Sequence, residues 1–319
     1  MSNIKQILDE VQAFALANPG QNAFDAIRKQ KIDQLKAKTG RPVLIYASDF
    51  LNPKLPPNLS QLLAINLTDK DQIDDAIANI PGNEIDLLIQ SPGGSAEATE
   101  GIVNLLRYKF SNIRVLLPGT AKSAATLLAM AADELVMDAL SELGPTDPQM
   151  IINGRYSPAG AILKQFEKAQ EELKNDPANM PAWLPVLQQY GPSILVECQN
   201  HLNLSRSLVS SWLSQYMFAG DIDASDHAAE VAEWLANDEH HLSHSRRVGI
   251  DDLIGKGIKV VDMRIDDDLR KAVRSLHIAL MVTFQGTGAF KIFENSEGIL
   301  LSQGAAVQPI TPAASAPSP

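Results

Sequence analysis

The chain has 319 residues, 45% of them hydrophobic and 20% charged, and a formal net charge of −11 from 27 basic against 38 acidic residues. That composition excludes a fibrous or disordered chain and gives a globular protein able to bury a sizeable core. The acidic balance argues against a nucleic-acid partner, because such binders carry a basic face. The small basic run of Arg246 and Arg247 near Lys256 and Lys259 reads as solvated surface. A single cysteine, Cys198, excludes a disulfide framework and a multi-cysteine metal site, and reads as a small buried apolar residue. The N-terminal stretch MSNIKQILDEVQAFALANPG lacks the basic start and continuous apolar run of a signal peptide. No window of about 18 residues is apolar enough to cross a membrane. A cytoplasmic location is therefore expected.

Taken in order, the chain opens with two helices over residues 4–38, broken at Asn18-Pro19-Gly20 and ended by Gly40-Arg41-Pro42. A short buried strand is predicted over 43–46, an irregular loop over 52–57 and a strand over 62–66. Helix 69–80, strand 86–90, helix 96–110, strand 113–117, helix 121–132 and strand 135–137 follow. Strand and helix thus alternate in units of roughly 25–30 residues, the pattern of an α/β fold with largely parallel strands. Beyond them come a charged helix over 159–175 and a proline-bearing loop or arm over 176–185. Helices over 192–217 and 224–237, a His- and Arg-rich connection over 240–247 and a short helix with a strand over 246–261 lead to a last helix over 267–283. From Gln303 the Pro/Ala/Ser-rich end reads as a tail without a core.

Chemistry concentrates between Leu87 and Gln149. Two strand-like runs break into small residues and then into helices. The first break, Ser91-Pro92-Gly93-Gly94-Ser95, offers backbone donors and close approach. The second places Ser123 at the start of an Ala-rich helix, followed by Ala124 and Ala125. Acyl transfer needs a nucleophile and donors aimed at the oxyanion, and these two turns supply both. An N-cap serine would produce the same local pattern as a nucleophile. Neither GxGxxG nor GxxxxGK[ST] occurs, so no dinucleotide or P-loop site is expected, and no cofactor. His240 and His244 are spaced like two ligands of a helical zinc site, but the HExxH pattern is absent and no metal is expected.

The sequence SPGG, with GTAKSAATLLAMAADE and then LGPTDPQ, resembles the ClpP/crotonase superfamily of serine peptidases. Within it, the chain is most similar to the serine dehydrogenase proteinase family, related to signal peptide peptidase A. The likeness is strong over residues 43–149 and looser to about 261. It implies a spiral of ββα units, here with additional helices at the N terminus and in the C-terminal half. The implied division is an N-terminal helical segment (1–40), a peptidase domain (41–265), a C-terminal helix and extension (266–302) and the tail (303–319). By resemblance Gly93, Gly94 and Ala124 match the oxyanion hole and Ser123 the nucleophile. ClpP carries a histidine soon after its nucleophile, whereas GPTDPQ here has none and no histidine precedes His201. The superfamily's other solution is a Ser-Lys dyad, which makes Lys164, 41 positions after Ser123, the expected base. Lys164 lies between Leu163 and Phe166, an apolar setting suited to lowering a lysine pKa. Lys168, Lys122 or one of His227, His240, His241 and His244 folding back onto Ser123 are the alternatives. Asp147 is expected to orient a base or bind a substrate backbone, or else to be only a turn residue before Pro148.

The activity expected is an ATP-independent serine endopeptidase acting on a peptide or protein. A homo-oligomer and a membrane-associated partner are further expectations of the resemblance. The competing readings are a crotonase-like acyl-thioester enzyme, with Glu97 and Glu100 as its carboxylates, and a catalytically silent oligomeric peptide-binding scaffold. No pyridoxal chemistry is expected.

Overall fold

The computed structural model of the protein describes residues 3–304. Two N-terminal helices, α1 (Ile4–Ala17) and α2 (Ala23–Thr39), precede strand β1 (Val43–Ser48). Then come α3 (Ser60–Leu63), α4 (Leu67–Ile77), β2 (Glu84–Gln90), α5 (Ala96–Lys109), β3 (Asn112–Leu117), α6 (Ala124–Met130) and β4 (Glu134–Met137). A hairpin of β5 (Gln149–Ile152) and β6 (Arg155–Pro158) leads to α7 (Ala159–Asn175), α8 (Met180–Leu187), α9 (Ile194–Trp212), α10 (Ala224–Ala236), α11 (Asp238–His241) and α12 (Ile250–Ile254). The described chain closes with β7 (Val260–Asp262), α13 (Asp267–Gly286), β8 (Ala289–Asn295) and β9 (Leu300–Gly304).

Seven strands form one sheet in the order β7-β4-β3-β2-β1-β8-β9. The first five are parallel, and β8 and β9 are antiparallel. The central strands read as nearly unbroken apolar runs because both faces are covered. Leu44, Tyr46, Leu87, Ile89, Val115 and Leu117 pack under α4, α5, α6 and the α9–α10 pair. The alternate residues Val43, Ile45, Leu88 and Leu116 face α2 and α13. Burying each such side chain contributes about 1.5–3 kcal/mol, so this three-layer core dominates the stability of the fold.

Each unit of the spiral has a strand of the main sheet, a second short β segment and a helix. The second segments are reduced to bridges, Ile65 to Gly94, Ser91 to Ala121 and Thr120 to Glu142. They step across the C-terminal ends of β2, β3 and β4, where ligands bind in open α/β sheets. The expected fold class, a mostly parallel α/β arrangement of this type with added helices, is thus the observed one.

Several elements differ from the sequence reading. Residues 62–66 are not a strand: α3 ends at Leu63, Ala64 and Asn66 are extended cap residues, and only Ile65 pairs, in its bridge to Gly94. The proline-bearing segment 176–185 is helical, with Pro181 at the start of α8, where a missing amide costs nothing. Both hairpins escaped the reading, and α13 with β8 makes the C-terminal extension part of the central sheet. Gln303 and Gly304 are strand, whereas 305–319 of the expected tail lie outside the described residues.

A buried polar cluster ties the C-terminal strand to the rest. Lys291 Nζ on β8 donates to both oxygens of Asp69 at 2.8 and 2.9 Å and to the Ala64 carbonyl at 2.8 Å. The Tyr46 hydroxyl donates to Asp69 at 2.5 Å. Burial lowers the Lys291 pKa against the pull of Asp69, and burial beside the same carboxylate holds the Tyr46 hydroxyl well above the ordinary phenol range.

Candidate active site

Ser123 ends the turn after β3 and stands at the N-cap position of α6. Its backbone has φ 51° and ψ −117°, a region that costs a non-glycine residue about 1–3 kcal/mol. Ordinary N-cap residues are extended and use their hydroxyl to hold a helix amide. Here the hydroxyl caps nothing. Among the described residues it makes no hydrogen bond, and Ser123 lines a cavity of about 700 Å³. The strain therefore aims the side chain into open space rather than at its own helix.

The first glycine turn lies against this serine. A Cβ on Gly93 would sit 2.5 Å from the Lys122 carbonyl, 2.7 Å from Ser123 Cβ and 2.9 Å from the Ala124 nitrogen, and Gly93 has φ 96°. A Cβ on Gly94, at φ 152°, would collide with the Ile65 backbone. No other residue type fits either position. The amides are not equivalent. Gly93 N–H donates to Ser91 Oγ at 3.2 Å, so it is spent inside the turn. The Gly93 carbonyl accepts from Ile65 N at 2.7 Å, and Ser95 N donates to the Ile65 carbonyl at 3.0 Å, which leaves Gly94 N–H out of the bridge. Among the described residues neither Gly94 N–H nor Ala124 N–H has an acceptor. Two unpaired amides thus flank Ser123, and Gly93 is required for close approach rather than as a donor.

The cavity wall continues through Pro92, Leu127, Pro148, Met150, Tyr156 and Leu204, with Glu97 as its carboxylate and His201 and His244 as its imidazoles. Glu97 accepts from Ser95 Oγ at 2.8 Å. Its own backbone amide and Ser95 hold its pKa below the usual carboxylate range. Glu100 is not part of the lining. His244 belongs to the loop after α11, which the antiparallel Leu143–Val248 bridge pins down. Its Nδ1 meets Asp147 Oδ1 at 2.8 Å. Asp147 is 2% exposed, and its other oxygen accepts from Gln149 Nε2 at 2.6 Å. Asp147 is therefore a buried anchor for an imidazole, not merely a turn residue.

Lys164, the base expected from the sequence, stands apart from these residues. It is not on the cavity wall. Its side chain is 41% exposed and pairs with Asp238 and Glu239, both at 3.0 Å. Burial pulls its pKa down, but the two carboxylates outweigh it and the net direction is upward. Leu163 and Phe166 pack with Cys198 and Leu202, and Lys164 turns the other way, towards α11. Lys122 is bonded to the Leu143 carbonyl at 3.0 Å and paired with Glu142 at 3.1 Å. Lys168 is 69% exposed. None of the three approaches Ser123 as a free amine. Among the described residues no group of His, Cys, Asp or Glu is arranged to hold a metal, and no helix is long and apolar enough to cross a membrane.

The strained serine, its paired glycine turn and the two open amides lie within a segment with known counterparts. Residues 59–180 match the family model of the ClpP-like SDH-type serine proteinases. The resemblance carried by SPGG and GTAKSAATLLAMAADE is thereby shown, and at that level the region is serine-protease-like. An uncharacterized protein of Methanocaldococcus jannaschii is 37% identical over 113 residues, which cover 35% of this chain and 37% of that one. The chain thus spans little more than a third of the length of that relative. An ATP-dependent Clp protease proteolytic subunit of Bacteroides fragilis is 25% identical over 187 residues, 52% of this chain and 80% of that one. Among solved structures, the 1510-N membrane-bound stomatin-specific protease is similar at 17% identity and a TM-score of 0.39, over 66% of this chain and 79% of that one.

Proposed function

We propose that the protein is a serine peptidase that hydrolyses peptide bonds without ATP, with Ser123 as nucleophile. The observation that carries this reading is the Ser123 conformation: a strained backbone whose hydroxyl, freed from capping, faces the cavity between two unpaired amides. Ser123 Oγ would attack a carbonyl laid along the Gly93-Gly94 turn. The developing oxyanion would then lie within reach of the Gly94 and Ala124 amides, each such donor accelerating the step by about 10²–10³. The positive end of α6 adds to them. Assembly into a homo-oligomer belongs to the same proposal, and light scattering of the purified chain tests it.

The Ser123–Lys164 form of the mechanism would require Lys164 to leave two carboxylates, lose its proton against a raised pKa and reach the cavity. Its present geometry supports none of these steps. The acyl-thioester reading would draw on Glu97, the one carboxylate in the lining. A thermal shift with acyl-CoA compounds would favour it over peptide hydrolysis. The decisive test of the serine is labelling by a fluorophosphonate probe together with cleavage of fluorogenic peptides. The wild-type chain is expected to label and cleave, and Ser123→Ala to do neither. Equal labelling of the two would remove Ser123 from the mechanism.

A further inference from the structure

We infer that His277 on α13 is a positioning residue, which sets from behind the sheet the spacing of the two turns that carry Gly94 and Ser123. The inference rests on the proposed role of Ser123 and concerns a side chain that never meets the substrate. Among the described residues, none from α13 lines the cavity. His277 instead touches both turns from the face shared by α2 and α13. Its Nε2 lies 2.6 Å from Gln90 Oε1, and Gln90 is the residue before Ser91-Pro92-Gly93-Gly94. Its Cε1 would stand 3.3 Å from a Cβ on Gly119, at the start of the turn that ends in Ser123. The imidazole thus fills the wedge between the ends of β2 and β3.

The bonds around the ring run in one direction. Gln90 Nε2 donates to the Ser48 carbonyl at 3.0 Å. Its Oε1 therefore faces the imidazole, and the ring carries its proton on Nε2. The lone pair is then on Nδ1, where Arg274 Nη1 stands at 3.4 Å while donating to the Pro118 carbonyl at 3.0 Å. Donation passes from Arg274 to His277, to Gln90 and to the Ser48 carbonyl, across the ends of β3, β2 and β1. Burial, with Arg274 beside the ring and against the pull of Asp138, pushes the His277 pKa down to about 4, so the ring is neutral at pH 7 and the direction holds.

The same edge of α13 repeats this kind of contact. Arg270 Nε donates to Asp138 Oδ2 at 3.1 Å, just beyond β4. Arg270, Arg274 and His277 follow i, i+4, i+7 and share one face of the helix, and each meets the end of a successive strand. The adjoining stripe of Leu269, Val273, Leu276 and Leu280 packs on the sheet. Apolar packing holds the helix to the sheet but is non-directional, whereas hydrogen bonds of set length and angle fix where each strand end lies. On the cavity side the two turns are joined by Ser91 N to the Thr120 carbonyl at 3.3 Å and Lys122 N to the Ser91 carbonyl at 3.0 Å. One such pair of bonds leaves a hinge, and a contact on the opposite face removes it. A misplacement of about 1 Å between reacting groups costs about 10²-fold in rate, so a side chain behind the sheet can govern kcat.

The test is peptide cleavage and fluorophosphonate labelling by folded variants. His277→Leu is expected to lower kcat about 10- to 100-fold with KM within about threefold of wild type, because the cavity wall is untouched. His277→Asn, polar but too short to reach Gln90, should be as slow and decides the matter if the leucine variant does not fold. His277→Gln places an amide donor where Nε2 stands and should restore most of the rate. Gln90→Leu should match His277→Leu, and the double variant should be no slower than either, since both break one chain of bonds. The inference is overturned if folded His277→Asn cleaves at the wild-type kcat, if His277→Gln is as slow as His277→Asn, or if the losses of the double variant multiply. Failure of the Ser123 reading itself shows separately, as undiminished labelling of Ser123→Ala.

Discussion

Two buried carboxylates, Asp69 and Asp147, each hold a basic side chain, yet the two clusters do opposite things. Asp69 and Lys291 are both fully buried. Their remaining bonds go to Tyr46, the Asn66 amide and the Ala64 carbonyl. Every strong donor and acceptor in that cluster is answered from within, so it can only hold structure. Asp147 is as deeply buried, but the imidazole it grips is 28% exposed and borders the cavity. One cluster is closed and the other has an open end. Burial of a charge is therefore common to both clusters, and what separates them is the exposed imidazole edge at the cavity in one and its absence in the other.

Four substitutions test the contrast, in descending order of their cost to stability. Lys291→Met strands the Asp69 charge and should cost about 3–5 kcal/mol, read from urea unfolding; a loss below about 1 kcal/mol would mean that the closed cluster does not hold the sheet. Gly94→Ala forces a side chain into the Ile65 backbone at a φ reserved for glycine and should cost about 2–3 kcal/mol. Asp147→Asn is expected to cost about 1 kcal/mol, the size of one altered hydrogen bond, while labelling slows by far more than that loss explains. If labelling and stability fell in proportion, Asp147 would be a structural residue like Asp69. Lys164→Met removes a half-exposed ion pair, worth no more than about 0.5 kcal/mol in solvent, and unfolding midpoints should barely move.

The parts of the site legible in the sequence are those whose partners are neighbours along the chain. Gly93, Gly94 and Ser123 each lie between a strand and a helix and Ala124 opens the second of those helices, and the order strand, small residues, helix already places them at one end of a parallel sheet. His244 and Asp147 are 97 positions apart, and no local pattern joins them. The carboxylate partners of Lys164 were not legible, because apolar neighbours on a helix do not say which way the residue between them points. The β5–β6 hairpin carries its own signal, Asn153-Gly154 with φ 51° and 76°, which alternation alone did not reveal. Strand β8 hid for a different reason: AFKIFEN contains Lys291 and Glu294, charges that look exposed until Asp69 and Arg28 are found opposite them.

The register of β8 has a consequence for how the chain is made. Leu44 pairs with Asn295 and Ser48 with Lys291, so β1 acquires one of its two neighbours only when almost all of the described chain has left the ribosome. At about 5–20 residues per second, the wait is on the order of tens of seconds. During that interval Asp69 has no ammonium and the Ala64 carbonyl no donor, although Ile65, next in the chain, is the residue that props Gly94. The Gly93-Gly94 turn is thus backed by one of the last segments to be synthesised, and a nascent chain that already carries Ser123 still lacks the support that β8 gives to the turn beside it.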